Sequence, residues 1–201
     1  MHKFFGAWSP PQKLIFLGDV TMTKFLSFKG PQMNVRTLTL AALLIALNVV
    51  LGKLSVGSDT VFKISLGFIA TGMIGYFLGP WWGGVAMVVK DLIANTIFSS
   101  GSTFFLGFTF SAFVSGVIAG MILYQQKVSL KRLFAYEFVQ ILVTNVFFTT
   151  LWINILYTTP FIQLLTVRLP KEVISWPIEA IILFLVLRAV SRLNLQQKSG
   201  Y

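Results

Sequence analysis

Residues 63–127 read KISLGFIATGMIGYFLGPWWGGVAMVVKDLIANTIFSSGSTFFLGFTFSAFVSGVIAGMILYQQK, and this stretch decides the class of the protein. Between its terminal lysines, the only charged side chains are those of Lys90 and Asp91. An ionised side chain near the middle of a bilayer is costly, so a chain that keeps one there usually has a use for it. We therefore predict a binding site inside a membrane.

The composition of the whole chain indicates an integral membrane protein. Hydrophobic residues make up 56% of the 201 positions and charged residues only 11%, far from the balance of a soluble domain. The sequence has no cysteine and one histidine, which excludes a thiolate metal site and a histidine-based catalytic or metal cluster. The net charge of +10 comes from scattered basic residues, so nucleic acid is not expected as a partner. We expect no metal and no cofactor.

Uncharged apolar runs, divided by turn signals, predict the membrane spans. Gly79-Pro80 breaks one long run, because proline lacks a backbone donor and clashes with the preceding turn. Residues 99–102, Ser-Ser-Gly-Ser, mark another turn. Each run is near the ~20 residues that a helix needs to cross the hydrocarbon. The sequence predicts an all-α integral membrane protein with six transmembrane helices, at residues 37–52, 64–79, 81–98, 103–124, 133–157 and 169–193.

The distribution of lysine and arginine predicts the orientation. The loops on one side carry only four basic residues, namely Lys53, Lys63, Arg168 and Lys171. By the positive-inside rule, both termini are predicted to be cytoplasmic, in a multi-pass protein of the cell membrane. Residues 1–33 lack the apolar core of a signal peptide and are interpreted as a cytoplasmic or interfacial arm. Residues 34–195 form the predicted transmembrane domain and 196–201 a tail.

Polar and aromatic side chains within the spans form the candidate site. They are Asp91 and Asn95 in one span, Asn145, Thr149 and Trp152 in another, and Arg168, Lys171 and Trp176 at the start of the last. Spacings of three and four put the members of each of the first two sets on one helix face. Each residue taken singly could instead bond a neighbouring helix or extend to water. Together they indicate a shared site, apolar and aromatic below, with cations at its mouth.

Two further patterns concern partners. Ala42 and Ala46 put small side chains one turn apart in the first helix, which lets another helix approach closely. From these residues alone, packing inside the bundle and docking of a partner are equally open. The sequence has no Gly-x-x-x-x-Gly-Lys-[Ser/Thr], so it cannot hydrolyse ATP through a Walker site. If ATP hydrolysis drives transport, it must take place in another subunit.

Several motifs resemble the substrate-binding S components of energy-coupling-factor (ECF) vitamin transporters. Those shared by several vitamin branches are Gly79-Pro80-Trp81-Trp82-Gly83-Gly84, Lys90-Asp91-Leu92-Ile93 and the run from Phe104 to Phe113. Those that resemble the folate branch are Asn145 with Thr150-Leu151-Trp152, Leu156-Tyr157 with Pro160-Phe161, and Val167-Arg168-Leu169 with Lys171 and Pro177. The departures from the folate branch are Thr149, where asparagine is expected in many members, together with Glu172, Ser175 and Trp176.

The resemblance implies a non-catalytic six-helix subunit that binds a vitamin with high affinity at its outer face. It implies no transport without partners, which are a transmembrane coupling subunit, docked on Ala42 and Ala46, and two cytoplasmic ATPase subunits. Membrane lipids would surround the bundle. The loop from Lys53 to Phe62 would cover the bound vitamin, as its small residues suit a lid.

Folate chemistry fits the candidate residues. Its pterin ring has a donor edge that a carboxylate can bind through two hydrogen bonds, and its flat faces suit aromatic walls. Asp91 and Asn145 suit the edge, whereas the glutamate tail suits cations on the outer side. We expect the pterin to lie inward and the glutamate outward. The predicted substrate-binding residues are Lys63, Asp91, Asn95, Phe98, Ser102, Phe104, Phe105, Asn145, Thr149, Trp152, Arg168, Lys171 and Trp176.

Three other functions were weighed against an importer subunit for folate. An S component for pantothenate or a flavin would share the same family motifs. A stand-alone secondary carrier should have two related halves with interrupted helices, and the sequence has no such repeat. An intramembrane enzyme would need paired carboxylates, a histidine, or a nucleophile with a base, and the sequence has none at a suitable spacing.

Overall fold

A computed structural model describes residues 26–58, 62–96 and 105–192 of the chain. The elements in chain order are α1 (Val35–Lys53), β1 (Ser55–Ser58), β2 (Phe62–Ser65), α2 (Gly67–Thr96), α3 (Leu106–Leu123), α4 (Leu130–Gln140), a π-helix (Ile141–Thr149), α5 (Thr150–Tyr157) and α6 (Phe161–Arg192). Apart from the β1–β2 hairpin, every element in these residues is helical. The all-α class predicted from the sequence is confirmed.

Five helical stretches within the described residues are long and apolar enough to cross a membrane. They are Val35–Lys53, Gly67–Thr96, Leu106–Leu123, Leu130–Tyr157 and Phe161–Arg192. Large apolar side chains are exposed on the outside of the bundle, among them those of Phe110, Phe147 and Leu185. A surface of this kind is stable against lipid, whereas in water it would be an aggregation liability.

The long helix α2 consists of two antiparallel arms, residues 67–78 and 80–96. They meet at Gly79, which has φ 71° and ψ −173°. Asn48 Nδ2 reaches both Thr71 Oγ1, at 3.0 Å, and Met87 Sδ, at 3.7 Å. In a straight helix these two residues would lie roughly 24 Å apart. The break predicted at Gly79-Pro80 is therefore confirmed, and it turns the chain back on itself.

Local backbone chemistry explains why the turn lies at this position. Gly79 adopts a positive φ that residues with a Cβ rarely accept. Pro80 then begins the second arm, where the missing N–H costs no helical hydrogen bond. The tip of the turn packs on the segment before α1, since a Cβ at Gly79 would lie 2.9 Å from the Lys29 carbonyl oxygen. We call this end of the bundle the Gly79 end.

The arms of α2 pack on α3 with their backbones in contact. A Cβ added at Gly120 would lie 2.1 Å from the carbonyl carbon of Gly79, and one at Gly75 would lie 2.4 Å from that of Ala119. At Gly116, an added Cβ would lie 2.3 Å from the carbonyl oxygen of Gly83. Small residues allow such approach between membrane helices. These contacts fix the position of the α2 hairpin against α3.

The apolar core lies in the half of the bundle next to the Gly79 end. Its fully buried side chains come from all the long helices and include Leu44, Ile74, Leu78, Leu133, Leu183 and Leu187. In the other half of the bundle, the helices surround a cavity lined largely by polar groups. The fold therefore joins a packed base to a hollow upper half.

The last two predicted spans begin earlier in the chain than expected. The continuous helical stretch Leu130–Tyr157 takes in Lys131 and Arg132, and α6 begins at Phe161 and passes through Pro170 and Pro177. Lys131, Arg132 and Arg168 had been used as the boundaries at which these two spans begin. A proline is tolerated in a membrane helix when neighbouring groups satisfy the freed carbonyl, so it need not end the helix.

The segment expected to be a flexible loop after α1 is partly a β-hairpin. Ser55 pairs with Ser65 and Ser58 with Phe62 in antiparallel register, and the tip, residues 59–61, lies outside the described residues. The Leu66 amide donates to the Leu54 carbonyl at 3.0 Å, which closes the base of the hairpin. This hairpin connects α1 to α2 at the end opposite the Gly79 end.

Candidate ligand-binding site

A cavity of about 450 Å³ occupies the upper half of the bundle. Residues of α1, α2, α3, α4, the π-helix and α6 line it, and Gly52 and Ser65 place its mouth beside the base of the β-hairpin. Its volume falls in the range of roughly 300–1,000 Å³ that is usual for small-molecule sites. It is therefore a candidate site for a ligand of vitamin size.

Among the described residues, two cationic side chains line the cavity, those of Lys90 and Lys171, and both lie at its mouth. Asp91 is next to Lys90, and its Oδ2 accepts a hydrogen bond from Thr109 Oγ1 at 2.8 Å. Because Lys171 is exposed, its ammonium group meets water as well as any ligand at the mouth. The mouth is thus polar and partly hydrated.

The middle of the cavity is held in shape by hydrogen bonds between helices. Asn145 Nδ2 donates to Glu172 Oε2 at 3.2 Å, which ties the π-helix to α6. Thr149 Oγ1 donates to the Thr144 carbonyl, five residues earlier, at 2.7 Å. π-helical turns of this kind are rare and occur frequently at functional sites. Here the π-helix presents polar side chains to the cavity.

The floor of the cavity is polar, contrary to the apolar and aromatic floor expected from the sequence. Its lining includes Tyr136, Glu137 and Gln140 of α4, and Glu179 of α6. Gln140 Nε2 donates to Ser115 Oγ of α3. The expectation was wrong because it considered only the polar groups near the outer ends of the helices. Two acidic side chains instead lie at the deepest part of the site.

The match to a known family covers the residues that build this cavity. The family model described as "ECF transporter, substrate-specific component" matches residues 36–187. The chain belongs to the substrate-specific components of ECF transporters. The resemblance found in the sequence motifs is thereby confirmed.

Named relatives of this S component are folate transporters. It is 35% identical over 166 residues to "Folate transporter FolT" of Clostridium novyi (strain NT), with 82% of the chain and 95% of the relative covered. It is 31% identical to the protein of the same name from Leuconostoc mesenteroides subsp. mesenteroides, with 78% and 87% covered.

Solved structures with the same fold include one with a ligand. "Crystal structure of FolT bound with folic acid" matches with a TM-score of 0.69 and 28% identity, over 76% of this chain and 93% of that one. An S-component for biotin from an ECF-type ABC transporter matches with a TM-score of 0.59 over 80% and 95% of the two chains. At 19% identity, the second match supports the fold alone.

Four of the predicted site residues of this S component line the cavity. They are Asp91, Asn145, Thr149 and Lys171. Phe105 and Trp152 lie behind the wall, with ring centroids 5.5 Å apart, and Trp152 Nε1 donates to Ser111 Oγ at 2.7 Å. They can therefore position the wall without touching a ligand.

The remaining predicted residues lie away from the lining or outside the described part of the chain. Trp176 packs against Phe134 and Phe138, and its Nε1 donates to the Phe134 carbonyl at 2.9 Å. Asn95 and Arg168 are also absent from the lining formed by the described residues. Outside the described residues lie Phe98, Ser102, Phe104 and the side chain of Lys63.

The predicted site of this S component did not include the three glutamates that line the cavity. Glu137, Glu172 and Glu179 all line the cavity, yet they come from two helices and are far apart in the chain. A spacing signal was present, because Glu137, Gln140 and Thr144 follow one another at three and four residues. Among the described residues, no group of three or more histidine, cysteine, aspartate or glutamate side chains is arranged to hold a metal ion.

The predicted docking pair of this S component lies on the outside of α1. Ala42 and Ala46 are exposed, whereas Ala41, Leu44 and Asn48 form the buried face of the same helix. The pair is therefore not used to pack the bundle. This placement favours contact with a partner over internal packing.

Proposed function

We propose that this chain is the folate-binding subunit of an ATP-driven ECF importer. It captures folate at the outer face of the membrane and delivers it by association with a coupling module. The observation that carries the proposal is the distribution of lysine and glutamate side chains in the cavity. Both lysines among the described lining residues are at the mouth, and two glutamate side chains, Glu137 and Glu179, are at the floor. The similarity to a FolT structure with bound folic acid supports the same ligand.

The charge distribution fits one orientation of folate. The pterin ring carries N–H donors, which suit the carboxylates of the floor, and the glutamate tail carries two carboxylates, which suit Lys90 and Lys171. Arg168 lies one turn before Lys171, near enough along the helix to add to the field at the mouth. The pterin therefore lies inward and the glutamate outward. Asp91, Asn145 and Thr149 line the path between them and are candidates for further polar contacts.

We place both termini on the cytoplasmic side and count six membrane spans. Counting the two arms of α2 separately supports six, although the first arm, residues 67–78, is short. That arm is largely buried within the bundle, so lipid need not cover its ends. Lys127, Lys131, Arg188 and Arg192 lie towards the Gly79 end, so the positive-inside rule puts the cavity mouth outside the cell.

We propose that the chain has no catalytic activity of its own. A transmembrane coupling subunit docks on the exposed face of α1 at Ala42 and Ala46, and two ATPase subunits hydrolyse ATP. Family membership supports this division of labour, and the sequence has no Walker motif. The protein works in the cell membrane.

Calorimetry on the detergent-purified chain tests the proposed ligand. We expect saturable binding of folate with one site per chain, and no competition by riboflavin or pantothenate. Mass spectrometry of small molecules that co-purify with the protein provides an independent check. Binding of riboflavin or pantothenate, with folate failing to bind, would contradict the proposal.

A further inference from the structure

Two acceptor atoms at the floor of the cavity receive no hydrogen bond from the described part of the chain. Glu137 is 1% exposed and Gln140 is 9% exposed, and both line the cavity. The Oε1 atom of each is buried and has no hydrogen-bond partner among the residues that the structure describes. Buried polar atoms nearly always have a partner, so each exception needs an explanation. A ligand that brings N–H donors to the floor would supply the missing partners.

The two acceptors are held in fixed relative positions. They are three residues apart on α4 and so lie on the same face of the helix. Gln140 Nε2 donates to Ser115 Oγ of α3, which leaves Oε1 as the group available to a ligand. Glu179 lies across the floor on α6, and the cavity's lysines are at the mouth. Among the described lining residues, the floor thus presents acceptors and no cation.

The pair predicted from the sequence for the ring edge already has partners. Asp91 Oδ2 accepts from Thr109, and Asn145 Nδ2 donates to Glu172. A ligand that uses Asp91 Oδ2 or Asn145 Nδ2 must share that atom with the protein. The Oε1 atoms of Glu137 and Gln140 impose no such competition, and they lie deeper, where the flat ring is expected.

We propose that Glu137 and Gln140 form the acceptor pair that binds the 2-amino and N3–H donors of the ligand's pterin ring. This inference rests on the proposed folate function and adds to it a determinant of specificity. A carboxylate can accept two parallel hydrogen bonds from adjacent donors, and the amide oxygen accepts the second amino hydrogen. The pair therefore selects a 2-amino ring over a 2-oxo ring, whose carbonyl would face an acceptor.

The test compares two small probes, pterin-6-carboxylate and lumazine-6-carboxylate, of which the second has a 2-oxo group and an N1–H where the first has a 2-amino group and an unprotonated N1. The full chain in detergent is titrated with each and with folate. Wild-type protein should prefer the 2-amino probe roughly tenfold to hundredfold, the ratio that one charge-assisted hydrogen bond supports. In Glu137→Gln, the new amide can donate to the 2-oxo group, so the preference should fall to about threefold or less. Glu172→Gln, with the same charge change higher in the cavity, should keep the preference.

The possible results distinguish failure of this inference from failure of the proposed folate function. If wild-type protein binds folate and Glu137→Gln keeps the full preference, the inference is wrong and the proposed function stands. If wild-type protein binds neither folate nor the pterin probe, both are wrong. Should Glu137→Gln not give a monodisperse protein, Gln140→Met removes the second acceptor alone. A 2-amino preference that is unchanged in Gln140→Met also overturns the inference.

Discussion

Asn145 connects the π-helix to α6, because its side-chain amide donates to Glu172 Oε2 at 3.2 Å. We predict that Asn145→Ala weakens folate binding by roughly 1–3 kcal/mol, as expected when a buried acceptor loses its donor and the ligand loses a polar contact. Isothermal calorimetry measures the change. Asn154→Ala is a matched control, since Asn154 bonds the Thr159 carbonyl outside the cavity and its loss should leave the affinity unaltered. Equal affinities in wild type and Asn145→Ala would refute the role of Asn145.

The cations at the mouth lead to a prediction about salt. Lys171 is exposed and Arg168 is half-exposed, so their attraction to the glutamate tail is screened over a Debye length of about 8 Å. Neutralising both should weaken folate binding modestly and reduce its dependence on ionic strength. A pterin fragment without the glutamate should bind as before. If the fragment loses as much affinity as folate, the vitamin lies the other way up.

At the scale of elements, the exposed face of α1 at Ala42 and Ala46 is expected to be needed for transport and not for folate binding. Replacing Ala42 or Ala46 with tryptophan should abolish folate uptake by cells, because the bulky ring keeps the coupling subunit at a distance. Binding by the isolated protein should remain intact, since neither residue packs in the bundle. Ala189→Trp is the control, because Ala189 is an exposed alanine on α6, and it should keep uptake. Loss of binding together with uptake would indicate a packing role.

Elements that depend on local chemistry were predictable from the sequence. The turn at Gly79-Pro80 follows from a positive φ and a missing donor, and both are properties of those two residues. The last two helices begin several residues before the predicted spans, because a charged residue ends a helix only when its surroundings leave it unsatisfied. The surroundings of Arg132 and Arg168 are set by other helices.

The candidate site was predictable only in its upper part. Asp91 and Asn145 stand out as polar groups within apolar runs and Lys171 as a cation beside one, and all three line the cavity. Glu137 and Glu179 also interrupt apolar runs, but their meeting at one floor depends on how α4 faces α6. The position of two residues so far apart in the chain at one cavity leaves no signal in the spacing of either helix.

At the scale of the whole molecule, the backbone contact between α2 and α3 should control stability. In Gly120→Ala, the new methyl group would lie 2.1 Å from the carbonyl carbon of Gly79, where no flexible side chain can move aside. We predict destabilisation by about 1–3 kcal/mol or more, measured by thermal unfolding in detergent. Gly52→Ala is the control, because a Cβ there would meet nothing within 4 Å. Equal stability of the two variants would contradict this account.

The helices of the upper half surround a cavity, so a bound ligand fills the interior of the protein and its binding energy adds to the protein's stability. By mass action, a ligand at one hundred times its Kd adds about 2.7 kcal/mol to the apparent stability of the state that binds it. We therefore expect folate to raise the melting temperature of wild-type protein in proportion to the logarithm of its concentration, with no such rise for pantothenate. Extraction from membranes should give more intact protein when folate is present throughout. The quality of a preparation then depends on the vitamin supplied to the cells.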